Sequence, residues 1–347
     1  MRGTRSSTDP APPVAGAMTR RRAITIMAAA GGLSLLCATD RTARSAQLYR
    51  WTGTSLGSPS RLALYHPDRV AAGRMVGRCV AEIVRLERVF ALYREDSELA
   101  RLNRDGRLDD PSFDLLAVLS LGLRLSDLSR GAFDVTVQPL WDLYGAHFFR
   151  SAVPRPEGPD PEVIERARAL VDWRAVDLGS RRIALRPGMG VTLNGIAQGY
   201  LTDRVIDILR QEGCGRVLAD MGSSELRALG SRTDGSPWRV GLADPRAPES
   251  LTMTLELSDG ALCTSGGYGT QFEASGRFHH LFDPATGLSA HHVIAVSVFA
   301  SSTMVADALS TALYVTPPDR SANLLNSFPG TRALVTRPDG TMLQIRG

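Results

Sequence analysis

The 347-residue chain contains no lysine; all 40 of its basic residues are arginine. Without an ε-amine it has neither Schiff-base chemistry nor a phosphate-loop lysine available to it. Cysteine is scarce as well, at four residues. Cys79, Cys214 and Cys263 are scattered, with no C-x-x-C pair, so no disulfide framework or thiolate zinc site is expected. Buried free thiols are the reading, with a single bridge as the alternative. The glycine fingerprint of a dinucleotide-binding first strand is missing, and the serines show no nucleophile elbow, which sets dehydrogenase and serine-hydrolase chemistry aside. Long apolar runs are absent except for residues 23–38, which are shorter than the ~20 residues a membrane-spanning helix needs.

What is present begins with an uneven charge. Residues 1–46 hold seven arginines and two aspartates, a net of +5, whereas the whole chain carries +4. The remainder is therefore near −1, and no nucleic-acid partner is expected, because binding one requires a basic face. Arg20, Arg21 and Arg22 precede the 23–38 run, which contains glycines, and Ala43-Arg44-Ser45 offers a small-residue cleavage site before Ala46. This pattern predicts a twin-arginine export signal over 1–46 and a soluble periplasmic product from 47–347. An uncleaved anchor is the alternative; Cys37 follows Ser34-Leu35-Leu36, a poor lipobox.

The apolar content of 43% is that of a globular protein. Residues 47–60 read as a polar lead-in, and "SRLALYH" as a first strand. Helical spacing of apolar residues predicts helices over 68–90, 112–128, 161–170 and 196–211, with another starting near Asp96-Ser97. "AVPRPEGPDP" is a surface linker. A hairpin is expected around Gly179-Ser180, then a strand at "GVTL". After Gly213 the chain is mostly strands, interrupted by one helix over 303–314. Helices first and strands later predict an α+β fold with a mostly antiparallel sheet.

Four stretches could carry chemistry. In "SSTMVADALSTALYV", Asp307 and Thr311 are four apart and share one helix face. An acid in an alanine-rich, buried helix is costly unless paired, and a carboxylate with a hydroxyl suits a hard ion such as Mg²⁺. An arginine partner or an exposed position is the other reading. The second stretch carries Phe278, His279, His280 and Leu281, read as a strand whose alternation sends one histidine inward. The histidine pair lacks zinc spacing. The third, "RGAFDVTVQPLWDLYG", and the fourth, "ALYREDSELARLN", supply aromatic residues that are ordinarily packing but also suit a flavin ring.

Together, in this order, eight stretches resemble the ApbE family of FAD:protein FMN transferases. They are "SLGSPSRLAL", "LYREDSELARLN", "GAFDVTVQPLWDLYG", "TLNGIAQGYLTDRV", "LADMGSSELRALG", "WRVGLADP", "CTSGGYGTQFE…HHLFDPATG" and "VADALSTAL". The resemblance implies a single α+β domain of T-fold-related architecture and a reaction in which FMN passes from FAD to a threonine or serine of a partner protein, releasing AMP with Mg²⁺. It implies that Gly195 (through its carbonyl), Asp307 and Thr311 hold the metal. Leu56, Tyr93, Ala132, Phe133, Asp134, Thr192, Gln198 and Leu281 stand at FAD-contacting positions, and His280 at that of an acid/base histidine. The chain departs from the family pattern where Thr192 replaces an aspartate, Gln198 a lysine or glutamate, Leu56 a methionine, and "DMGSSE" a more glycine-rich and asparagine-rich version.

The implied partners are FAD and a membrane-bound or periplasmic acceptor flavoprotein. The export signal and the wording "LNGIAQGY" suggest the branch associated with nitrous-oxide reductase maturation. A non-catalytic FAD carrier and a Mg²⁺-dependent FAD pyrophosphatase are the competing expectations.

Overall fold

The computed structural model describes residues 45–151 and 155–347. The export-signal reading, Cys37 and the first part of the proline-rich linker lie outside the described residues. The chain opens with a hairpin, β1 (Gln47–Ser55) and β2 (Ser58–His66). This corrects the polar lead-in reading: Tyr49 and Trp51 lean on the core from one face of β1 while polar residues alternate with them. The turn is two residues, Leu56 and Gly57, both at positive φ (47° and 79°), as the twist of a tight hairpin requires.

Helix α1 (Arg69–Phe90) starts where Asp68 accepts from the N–H groups of Val70 and Ala71. Helix α2 (Glu98–Asp105) is capped by Ser97 and ends at left-handed Gly106. After β3 (Arg107–Asp109), Ser112 caps α3 (Phe113–Leu128). Helices α4 (Gln138–Gly145) and α5 (Pro161–Arg168) each carry proline in their first turn. The short strands β4 (Asp177–Leu178) and β5 (Arg182–Ala184) form the expected hairpin, and β5 pairs on its other side with β3. Then come α6 (Ala197–Gln211), β6 (Val217–Asp220) and β7 (Glu225–Leu229).

Strands β8 (Trp238–Asp244) and β9 (Ala247–Leu257) make a separate hairpin. They are followed by β10 (Gly260–Gly266) and the short pair β11 (Phe282–Asp283) and β12 (Leu288–Ser289). The chain closes with β13 (Ala295–Ala300), α7 (Thr303–Val315), α8 (Pro318–Asn326), β14 (Arg332–Thr336) and β15 (Met342–Arg346). Helix α8 has no counterpart in the sequence reading.

Eight strands form one sheet in the order β1-β2-β6-β7-β10-β13-β14-β15, every neighbouring pair antiparallel. The expected α+β fold with a mostly antiparallel sheet is therefore the observed one. Alternation splits the sheet into two buried faces. Leu62, Leu64, Val217, Ala219, Cys263, Val296 and Val298 face α1, α6 and α7, and Ala63, Leu218, Leu262 and Phe299 face the β8–β9 hairpin. All three described cysteines are free and buried, and burial pushes the Cys79 thiol up to about 12, which leaves it inert.

Two expected strands are not strands. The "GVTL" segment forms only an isolated bridge between Val137 and Gly190. Its backbone is held by side chain and loop instead: Val191 N–H donates to Asn103 Oδ1 (2.7 Å), Asn103 Nδ2 donates to Val191 O (2.8 Å), and Thr192 N–H donates to Val135 O (2.8 Å). Residues 278–281 likewise form an irregular strap with a single bridge, Gln271 to His279. The period-2 signal was genuine burial of one histidine, and strand pairing was not its cause.

Candidate functional site

Helices α6 and α7 cross at Gly199. A Cβ there would lie 2.5 Å from Thr303 O, 2.7 Å from Asp307 Cβ and 2.8 Å from Met304 Cα. Only glycine lets α6 come this close, and the closeness delivers its N–H to Asp307 Oδ2 at 2.9 Å. One turn along α6, Asp203 accepts from Ser302 Oγ (2.7 Å), Thr303 N–H (2.9 Å) and Met304 N–H (3.0 Å). A carboxylate at this end satisfies orphan donors and complements the α7 dipole.

Asp307 is 4% exposed. Burial pushes its carboxyl well above the usual carboxylate range, Glu225 and Asp203 push it further, and the Gly199 N–H opposes them. Among the described residues Asp307 forms no salt bridge, and it is buried, so neither the arginine-paired nor the exposed reading of Asp307 holds. A buried acid facing two others calls for a bound proton or a cation.

Thr311 is one turn further along α7. A Cβ on Gly195 would lie 2.9 Å from Thr311 Oγ1 and 3.1 Å from its Cγ2, so the loop before α6 presses bare backbone onto this hydroxyl. The loop is drawn inward by buried Leu193, whose carbonyl accepts from the N–H groups of Ile196 and Ala197. Gly195, Asp307 and Thr311 thus come together from two distant parts of the chain. Among the described residues no group of three or more His, Cys, Asp or Glu side chains gathers to hold a metal. One carboxylate, one hydroxyl and backbone oxygen form a hard, incomplete donor set, which fits Mg²⁺ keeping water or phosphate as its other ligands.

The β1–β2 turn forms a second side. Gln198 Nε2 donates to Ser55 Oγ (2.7 Å), which donates to Met221 O (2.7 Å). Ser55 corrects the sequence reading: it does lie in the letters of a nucleophile elbow, Gly53-Thr54-Ser55-Leu56-Gly57, but in a strand–turn–strand setting rather than before a helix, so serine-hydrolase chemistry stays set aside. Leu56 N–H and Tyr93 Oη both donate to Glu87 Oε1 (3.1 and 3.0 Å). Burial and the Glu87 contact push the Tyr93 phenol up to about 12, yet the residue stays 61% exposed. Leu56, Tyr93 and Gln198 therefore flank one corner, with an open aromatic face.

The 132–134 turn is tied to the loop through Val135 and Thr192. Asp134 Oδ1 accepts from the Thr136 N–H (2.7 Å) and Oγ1 (2.6 Å), and its Oδ2 accepts from Trp173 N–H (3.3 Å). Burial raises its carboxyl. Phe133 joins the core and Ala132 packs against it, so side chains here shape the turn. Thr192 Oγ1 accepts from Asn194 N–H at 3.4 Å.

The two histidines differ. His279 is 2% exposed; its Nε2–H donates to Ala290 O (3.0 Å), and its Nδ1 accepts from Leu281 N–H (3.3 Å). Burial lowers its pKa to about 3, so it is a neutral packing residue against Tyr314 of α7. His280 is half-buried, and its Nδ1 donates to Thr270 O (3.1 Å), which places the ring lone pair on Nε2. Leu281 is buried in the main core. Sequence reasoning missed Asn103, Asp203, Glu225 and Ser265. Asp203, an acid inside "GYLTDRV", was the only one with a visible signal.

The model of the ApbE family matches residues 56–335. The chain belongs to the ApbE family. Among curated ApbE relatives, the FAD:protein FMN transferase of Treponema pallidum is 33% identical over 274 residues, 73% of this chain and 74% of that protein. The FAD:protein FMN transferase of Vibrio cholerae is 32% identical over 303 residues, 85% of this chain and 88% of that protein. Among solved ApbE structures, the Pseudomonas stutzeri flavinyl transferase in its apo form superposes with a TM-score of 0.72 at 30% identity, covering 88% of this chain and 96% of that one.

Proposed function

We propose that this chain transfers FMN from FAD to a threonine or serine hydroxyl of a partner protein, releasing AMP. The observation that carries the reading is Asp307, a buried acid with no salt bridge among the described residues, one helical turn before Thr311, whose hydroxyl meets Gly195, on a family-matched fold. Mg²⁺ held by Asp307, Thr311 and the Gly195 backbone would neutralise the pyrophosphate and polarise the phosphoryl group. Around it, the exposed Tyr93 ring with Leu56 and Gln198 provides a stacking corner, and the 132–134 turn and Thr192 border the loop. In the transfer, the acceptor oxygen forms a bond to the FMN phosphorus while the P–O–P anhydride breaks and AMP leaves with the bridging oxygen. The acceptor proton passes to His280 Nε2, the nitrogen left basic by the Nδ1–H bond to Thr270.

We further assign residues 1–46 to twin-arginine export, 47–347 to one transferase domain in the periplasm, and the acceptor to a membrane-bound or periplasmic flavoprotein of nitrous-oxide reduction. The test is incubation with FAD, Mg²⁺ and a threonine-bearing acceptor domain, read by covalent fluorescence and AMP release. Both signals support transfer. AMP without covalent flavin means hydrolysis, and tight FAD binding with neither signal means a carrier.

A further inference from the structure

Beside Thr311 three hydroxyls stand in a row, and chain geometry decides which way each proton points. Ser310 Oγ lies 2.9 Å from the Asp307 backbone carbonyl, which can only accept, so Ser310 donates there. Ser265, on the last turn-ward residues of β10, has its Oγ 2.8 Å from Ser310 Oγ. The single proton of Ser310 is spent, so Ser265 is the donor in that contact. Ser265 Oγ is also 3.1 Å from Thr311 Oγ1. The Ser265 proton is now spent as well, so Thr311 must donate to Ser265. The row therefore runs Thr311 to Ser265 to Ser310 to Asp307 O, with one direction only.

We propose that Ser265 is a positioning residue: by accepting the Thr311 proton it turns the Thr311 lone pairs toward Gly195, making that hydroxyl a competent ligand for a divalent cation. The inference rests on the cation reading of Asp307 and Thr311. Its physical basis is that a cation is repelled by an O–H proton and held by an oxygen lone pair, and that outer-shell partners orient ligands this way. Ser310, 1% exposed, anchors the far end, because without it the Ser265 proton can turn onto Thr311 and push the Thr311 proton outward.

The test is Mn²⁺ titration of the purified full chain, followed by electron paramagnetic resonance. Ser265→Cys, nearly isosteric but a poor acceptor, and Ser265→Ala are both expected to weaken Mn²⁺ about tenfold or more, the scale of lost outer-shell partners. Ser310→Ala weakens it too. The double variant Ser265→Ala/Ser310→Ala is expected to be no weaker than Ser265→Ala alone, since the row is already broken. Additive losses would overturn the relay, as would wild-type Mn²⁺ affinity in both Ser265 variants when Asp307→Asn has lost binding. Unchanged Mn²⁺ binding in Asp307→Asn would instead overturn the cation reading itself.

Discussion

Gly199→Ala puts a single methyl group into the crossing on which the site depends. In an exposed helix the change would stabilise by about 1 kcal/mol, because glycine is the poorer helix former. Here the new Cβ would stand 2.5 Å from Thr303 O and 2.8 Å from Met304 Cα. Both are backbone atoms of α7 and cannot rotate away, so the helices must separate by the better part of an ångström. Overpacking of this kind costs about 1–3 kcal/mol, and the stretched Gly199 N–H bond to Asp307 adds a loss of about 1 kcal/mol. The net expectation is destabilisation of about 2 kcal/mol, a fall in Tm of roughly 4–8 °C. The control is Gly77→Ala on α1, where nothing lies within 4 Å and Tm should rise slightly. Thermal unfolding by circular dichroism compares the two. A Gly199→Ala protein as stable as Gly77→Ala would refute the close crossing and the placement of Asp307 with it.

The two histidines should separate stability from chemistry. His279→Ala should lose about 2–4 kcal/mol of stability through lost packing and unpaired Ala290 and Leu281 groups, whereas His280→Ala should keep its Tm and lose transfer about 100-fold or more. Mg²⁺ is expected to raise the Tm of the parent protein, and Asp307→Asn should abolish that rise, as differential scanning fluorimetry can show. Asp220 sets a pH dependence. Full burial, with Glu225 nearby, pushes its carboxyl up to about 7, and its Oδ1 has no hydrogen-bond partner among the described residues. The folded state holds that proton between about pH 4 and 7 while the unfolded state releases it, so stability falls as pH rises through this window, by about 4 kcal/mol at most. Asp220→Asn should flatten that slope in urea unfolding from pH 5 to 8; an unchanged slope would show that Asp220 is ionised throughout.

The sequence by itself determined the helices at 69–90, 113–128 and 197–211, the antiparallel character of the second half, and the i, i+4 pairing of Asp307 with Thr311. These are local: caps, glycine turns and periodic burial act within a few residues. The exposed and arginine-paired readings of Asp307 were equally legible, because burial is a sum over distant segments. Only the tertiary structure ruled both out, by burying Asp307 where α6 and Glu225 lie against α7, with no salt bridge to it among the described residues. It also decided that "GVTL" is a loop. That segment has the composition of a strand, but its hydrogen bonds go to Asn103 and Val135, which lie 88 and 57 positions earlier in the chain. Likewise the order of protons along Thr311, Ser265 and Ser310 could not be read from spacing, since Ser265 reaches α7 from the end of the interior strand β10, 46 residues before Thr311. Side-chain polarity at this site is a property of the chain's closure on itself, which no local pattern encodes.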